Sequence, residues 1–247
     1  NYIQAATEKG YNVLVLDGQL DSHFIGLLEM KLEKSRFVRV DSDVVENLVP
    51  KSDKKDSGLS GDQISMLTTI FQSQLPKDEQ ASFLLSFESL DPSANPILIT
   101  QDEYMRRMKD MASTQPGMSF YAELPDNYNL IVNTSNPVVA SILEEAEKAL
   151  GEKVAPLASA VKETNEQIEK LRSAAPDGKL NDEQKAEEKA LLDKVETNRK
   201  EQEELLGHYA GEHPVIKQAI DIALLGNGLL KGRALSDFIR RSFEMLK

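Results

Sequence analysis

Three histidines, His23, His208 and His213, are the side chains whose type suits acid–base or metal chemistry near neutral pH. His208 and His213 stand five apart, which sets them on different faces of a helix, whereas a metal pair needs i,i+4 spacing. They read as solvent-exposed or capping residues. Gly226, Gly228 and Gly232 give the pattern G-x-G-x-x-x-G. A phosphate-binding loop needs a strand before it and a helix N-terminus after it. Here a helical pattern precedes the glycines and no Lys-Ser/Thr pair follows, so they read as an interhelical turn. Carboxylates crowd residues 144–206, but they alternate with lysines at helical spacing, which describes a solvated face better than an acid–base pair. No G-x-S-x-G is present, and no nucleophile has a plausible base. The chain has no cysteine, which removes disulfides, thiolate nucleophiles and Cys-ligated zinc. The expectation is a chain that performs no catalysis and holds no metal or cofactor of its own.

Two apolar patterns remain, and both suit binding. In "DEYMRRMKDM" (102–111) three of the chain's seven methionines fall within seven residues. Tyr104, Met108 and Met111 lie at i, i+4, i+7 on one stripe, with Met105 beside it. Periodicity alone reads this stripe as core packing. The choice of methionine over leucine points instead to a surface that fits many partners, because the side chain is unbranched and polarizable. The closing "ALSDFIRRSFEML" places Leu235, Phe238, Ile239, Phe243 and Leu246 on a face wider than one seam, with Leu230 and Met245 extending it. That face either packs on its own domain or associates with a second copy through a twofold bundle of two helices from each chain.

The elements that position these residues follow from pattern. "NYIQAATEKG" reads as a helix ending at Gly10, "NVLVLD" (12–17) as a buried strand, and Asp21 as the cap of a helix carrying Phe24, Ile25, Leu27, Leu28 and Leu32. "RFVRV" (36–40) alternates like a second strand. This order implies a small parallel α/β unit, too short to be comfortable alone, as if cut from a longer protein. "PKSDKKDSGLSGD" (50–62) reads as a linker. A helix at 62–75, strands at 82–90 and 96–100, and a hairpin of "SFYAELP" (119–125) with "YNLIVN" (128–133) follow. Thr100 and Glu103 form a T-x-x-E capping box that fixes where the Met-bearing helix begins.

Over 144–206 the chain is highly charged. Leu150, Val154, Leu157, Val161, Thr164, Ile168 and Leu171 step by four and three, as do Leu191, Val195, Asn198, Gln202 and Leu205. Two such seams around one turn (175–182) describe an antiparallel helical hairpin. Pro156 is expected to kink the first arm or break it near Gly151. The echo of "NPVVASIL" (136–143) in "HPVIKQAI" (213–220) suggests that the hairpin is an insertion. Two terminal helices close the chain, the first carrying Ile216, Ile220, Ala223 and Leu224. The expected fold class is α+β: residues 1–52 a small α/β unit, 53–61 a linker, and 62–247 an α+β domain with the charged hairpin inserted at 144–208.

The formal charge of −12 and a pI of about 4.8 exclude general affinity for phosphate backbones. No apolar run approaches the roughly 20 residues needed to span a bilayer. The expected partners therefore include neither nucleic acid nor membrane.

"KGYNVLVLDGQLDSHFIGLLE" with "FVRVD", and the ending "DIALLGNGLLKGRALSDFIRRSFEML", resemble bacterial members of the ninety-kilodalton heat-shock chaperone family. The first stretch is similar to the close of the family's middle domain and the second to its terminal dimerisation helices. The resemblance covers about 1–143 and 209–247, and the charged hairpin departs from the short bacterial pattern. It implies an ATP-dependent, dimeric, cytoplasmic stress-response chaperone that binds unfolded proteins. ATP and magnesium would bind in a domain upstream of this chain. Contact with client proteins would pass to Tyr104, Met105, Met108 and Met111. Homodimerisation would pass to Ile220, Leu224, Leu225, Leu235, Phe238, Ile239 and Leu246. The rival readings are a coiled-coil scaffold whose 144–208 hairpin binds a partner, and a truncated α/β enzyme.

Overall fold

In the computed structural model the elements run α1 (Asp21–Lys31), α2 (Gly61–Gln74), β1 (Ala81–Glu88), β2 (Ile97–Gln101), α3 (Glu103–Ala112), β3 (Asp126–Asn133), α4 (Pro137–Ser173), α5 (Asp182–Glu212), α6 (Pro214–Gly226) and α7 (Gly232–Met245). The residues described are 3, 6–7, 10–16, 18, 21–32, 34–35, 37 and 39 of the first forty, then 57–76, 81–101, 103–112, 124–174 and 180–246. Two compact units divide the chain: Asn1–Gly58 with Pro76–Asn136, and Leu59–Leu75 with Pro137–Lys247. The class is mixed α+β, with seven helices and one three-stranded sheet among the described residues.

In the first unit, the apolar run at the end of "DNYNLIVN" selects the centre of the sheet, because a central strand is covered from both sides. The strand order is β1-β3-β2, with β3 parallel to β1 and antiparallel to β2. Leu130, Ile131 and Val132 are buried there, beside Ile97 and Ile99 of β2. Phe83 faces Tyr128 across the β1–β3 register, and the rings stack at 5.5 Å. Asn133 at the end of β3 is fully buried yet satisfied. Its Oδ1 accepts from the amides of Leu90 and Ser135, and its Nδ2 donates to the Asp91 carbonyl at 2.8 Å.

Several sequence expectations for this unit are corrected. Residues 12–16 belong to no strand, and Leu14, Val15 and Leu16 are exposed. Phe37 and Arg39 are not in a strand either, while 36, 38 and 40 lie outside the described residues. The expected small parallel α/β unit is therefore absent from the described residues. The parallel pairing belongs to β1 and β3 instead. An apolar run makes a buried strand only when a sheet lies beside it, and among the described residues none pairs with 12–16. Thr100 does not cap α3. It sits in β2 opposite Asn129, and its buried hydroxyl makes no hydrogen bond. Of the partner strand expected at 119–125, residues 119–123 lie outside the described residues, and β3 pairs with β1 and β2.

The second unit is helical. α2 begins with a capping box, Ser60 with Gln63, and buries Met66, Leu67, Ile70 and Phe71. These pack with Val139, Ile142, Leu143 and Ala146 of α4, Leu206, Tyr209 and Ala210 of α5, and Ile216, Ala219, Ile220 and Leu224 of α6 as one helical cluster. Beyond that cluster α4 and α5 continue as an antiparallel pair. The predicted seams are right: Val154, Thr164, Ile168 and Val195 are buried, and the other seam positions half-buried. Arg172 bridges to Glu188 at 2.6 Å near the turn. A capping box of Asn181 and Gln184 starts α5. Residues 175–179 of the turn lie outside the described residues.

α4 runs unbroken through Pro156, so the break expected near Gly151 does not occur. Pro156 removes one amide, but it and Glu152 both lie on the exposed face, where water satisfies the freed carbonyl. The packed seam lies behind it, with Val154 buried. α4 also begins at Pro137, so "NPVVASIL" holds the first turns of the hairpin's own arm.

Candidate functional site

α3 is held at two of its basic positions. Arg107 makes a bidentate pair with Glu29 of α1, at 2.8 and 3.3 Å, and donates to the Phe37 carbonyl at 2.5 Å. The Phe37 amide in turn donates to Glu29 at 2.7 Å. Lys109 reaches Asp126 of β3 at 2.6 Å. Nothing in the local sequence assigns these cations their partners. The partners are distant in sequence, 78 positions away for Glu29, so no local pattern announces them. Burial and the nearby Asp126 carboxylate, which also takes a hydrogen bond, push the Tyr128 phenol above its ordinary value.

With Arg107 and Lys109 anchored, Met105 and Met108 are half-buried, neither sealed in the core nor free of it. Ala112 is buried at the helix end. The side chains of Tyr104 and Met111 lie outside the described side chains, as does that of His23.

The expected self-association residues divide into two sets. Ile220 and Leu224 of α6 are fully buried in the core of their own unit. Leu235 and Phe238 of α7 are half-buried. Leu225 is 42% exposed, Ile239 46% and Leu246 82%, and Phe243 beside them is 64% exposed. No residue of α7 is buried. α7 is tied to α6 largely by polar bonds. Asp221, 2% exposed, accepts from Arg241 at 2.5 Å and Lys217 at 2.8 Å. Gln218 donates to Ser242 at 2.7 Å and accepts from Arg241 at 3.0 Å. Lys217 also donates to the Gln74 carbonyl closing α2. This cluster was missed in the sequence, although Lys217 and Asp221 at i,i+4 were a signal for half of it.

The glycine loop is an interhelical turn. Gly228, at φ +69°, follows α6 as a left-handed residue. The amides of Gly228 and Leu229 bond back to the carbonyls of Leu225 and Leu224, a helix-terminating arrangement that favours glycine. A helix, not a strand, precedes the loop, so it does not fit a nucleotide's phosphates. His208 is exposed and lies 3.4 Å from Glu212. His213 is half-buried, makes no capping bond, and stacks on Tyr209. No cluster of three metal-ligating side chains occurs among the described residues, and no helix there is long and apolar enough to cross a membrane.

Comparison with known proteins decides the kinship. The chaperone protein HtpG of Bacteroides thetaiotaomicron is 45% identical over 249 residues, covering 100% of this chain. The chain is homologous to HtpG over its whole length. HtpG of Bacteroides fragilis is 44% identical over 99% of the chain, and HtpG of Porphyromonas gingivalis 43% identical over 100%. The chain spans 36–37% of the length of these HtpG relatives. No protein-family model matches the chain, and no solved structure does. The similarity runs the whole length of the chain, through 144–208 as well as 1–143 and 209–247. The charged hairpin is thus shared with these HtpG proteins, and the expectation that similarity lapses over 144–208 is corrected.

Proposed function

We propose that this chain is the self-associating and client-contacting part of an ATP-dependent cytoplasmic chaperone, and that it does no nucleotide chemistry itself. The observation that carries the reading is identity of 43–45% to proteins named HtpG across the full chain. Two surfaces support the division of labour. Ile239 and Phe243 of α7 and Leu246 at its C-cap stand at i, i+4, i+7, all exposed, and Ile222 and Leu225 of α6 are exposed as well. A twofold bundle of these helices from two copies would cover them, and a stable dimer buries roughly 1,600 Å² in all. Ile220 and Leu224 then act from behind, as the core on which the contact helices rest. On α3, half-exposed Met105 and Met108 supply an adaptable apolar surface for unfolded protein. Arg107 and Lys109 keep that helix in place.

The test is light scattering combined with an assay of aggregation of a chemically unfolded client. The chain should have the mass of a dimer and suppress aggregation. Phe243→Asp should give folded monomers. Met108→Ser should weaken suppression several-fold and leave the dimer intact. A monomeric parent chain, or a Met108→Ser variant that loses helix content, overturns the respective assignment.

A further inference from the structure

The exposed stripe on α7 raises a question of rotation that apolar packing leaves open. α7 carries two apolar faces. Leu235 and Phe238 are half-buried, and with Arg241 and Ser242 they mark the side turned to α6. Ile239, Phe243 and, at the C-cap, Leu246 are exposed. Phe238 and Ser242 stand one position before Ile239 and Phe243. One position is about 100° of an α-helix, so turning α7 by one residue would exchange the two faces. The free face is no less apolar than the docked one. Hydrophobic burial is non-directional and scales with area, so by itself it does not choose between them. No side chain of α7 is buried, so no sealed knob prevents the turn.

The polar bonds between α6 and α7 do choose. Buried Asp221 accepts from Arg241 and from Lys217. Arg241 also donates to Oε1 of Gln218 at 3.0 Å, and Nε2 of Gln218 donates to Oγ of Ser242 at 2.7 Å. A turned α7 would withdraw Arg241 and Ser242 together and leave the buried carboxylate with Lys217 alone. Directional, hydrogen-bonded charge sets register where apolar contact is indifferent to it. We propose that Gln218, Asp221, Arg241 and Ser242 are positioning residues that fix the rotation of α7. They thereby decide that the face of Ile239, Phe243 and Leu246 is the one left for a second copy. The inference rests on the self-association reading and adds to it what aims the contact.

The test uses the whole 247-residue chain. Light scattering over a dilution series reads the dimer. The rate of thiol labelling of Leu235→Cys, in a chain with no other cysteine, reads the docked face. Asp221→Leu with Arg241→Leu should stay folded by circular dichroism yet raise the dissociation constant about tenfold or more. It should also speed labelling at position 235 about tenfold or more. Gln218→Met, which leaves Asp221 paired, should raise the dissociation constant about threefold. Gln218→Glu, which still accepts from Arg241, should keep the parent's value. This Gln218 pair carries the test should the double variant unfold. Unchanged association and labelling in the folded variants overturns the proposal. So does faster labelling with the dimer untouched, which separates the clasp from self-association. A monomeric parent overturns the self-association reading, and labelling then decides alone whether the clasp fixes α7.

Discussion

Asp221 shows how much one buried charge decides in this chain. Its carboxylate is 3% exposed and held by Arg241 and Lys217, which are themselves 19% and 31% exposed. Removing one partner of such a cluster leaves a desolvated charge, whereas replacing charges together with apolar groups does not. Arg241→Met should therefore destabilise the chain by about 3 kcal/mol. The double change Asp221→Leu with Arg241→Leu should recover much of that loss. Arg233→Gln breaks a solvent-exposed pair with Asp237 and should change stability by less than about 1 kcal/mol. Urea titration followed by circular dichroism ranks all three. Two tyrosines make a second residue-level case. Tyr209 is raised by burial and then by the Glu145 charge, and Tyr128 by burial and then by Asp126. Both phenols hold their protons more tightly folded than unfolded. The stability they supply is complete below the ordinary value of 10.0 and is lost as pH rises through the raised values. Phenolate absorbance of the parent against Tyr128→Phe and Tyr209→Phe should show both of these phenols titrating late. Tyr209→Phe should soften the loss of stability above pH 10. Little of this was legible beforehand. Glu29 with Arg107, and Asp221 with Arg241, are charged residues that look solvated in any local window, and only the fold brings them together.

At the scale of the element, the helices were readable because a packed seam repeats every three or four residues and needs no distant partner to be visible. That is why α2, α4, α5, α6 and α7 match their patterns closely, down to half-buried Asn198 and Gln202 in the return seam. Strands failed where the pattern needed a neighbour it could not name. "NVLVLD" has the composition of a core strand, yet Leu14, Val15 and Leu16 lie exposed and outside any strand, while "NLIV" in β3 is central. Thr100 misled for a related reason. A capping sequence competes with pairing, and the ladder to Asn129 won. Pro156 is the reverse case, a breaker overruled by the seam behind it. Its ring still costs the helix one hydrogen bond, so Pro156→Ala should stabilise the hairpin by about 1–3 kcal/mol. Thermal melting followed at the helix band would show it as a higher midpoint. An unchanged midpoint would mean that the first arm already frays at that position.

At the scale of the whole molecule, the question is what the long hairpin contributes. The core of the second unit draws on Val139 to Ala146 and on Leu206 to Leu224, while the buried positions farther out, Val154, Thr164, Ile168 and Val195, belong to the hairpin's own seam. The outer arms can therefore be removed without opening that core. Replacing residues 160–193 with a short glycine-rich turn should leave the chain folded, since each arm loses only its partner across the seam. If self-association belongs to α6 and α7 and client contact to α3, the shortened chain should keep a dimer's mass and its suppression of aggregation. A scaffold that works through the hairpin would instead lose its partner at once. Loss of the dimer on shortening would transfer self-association to the hairpin. It would also make the exposed stripe on α7 a surface for something other than a second copy.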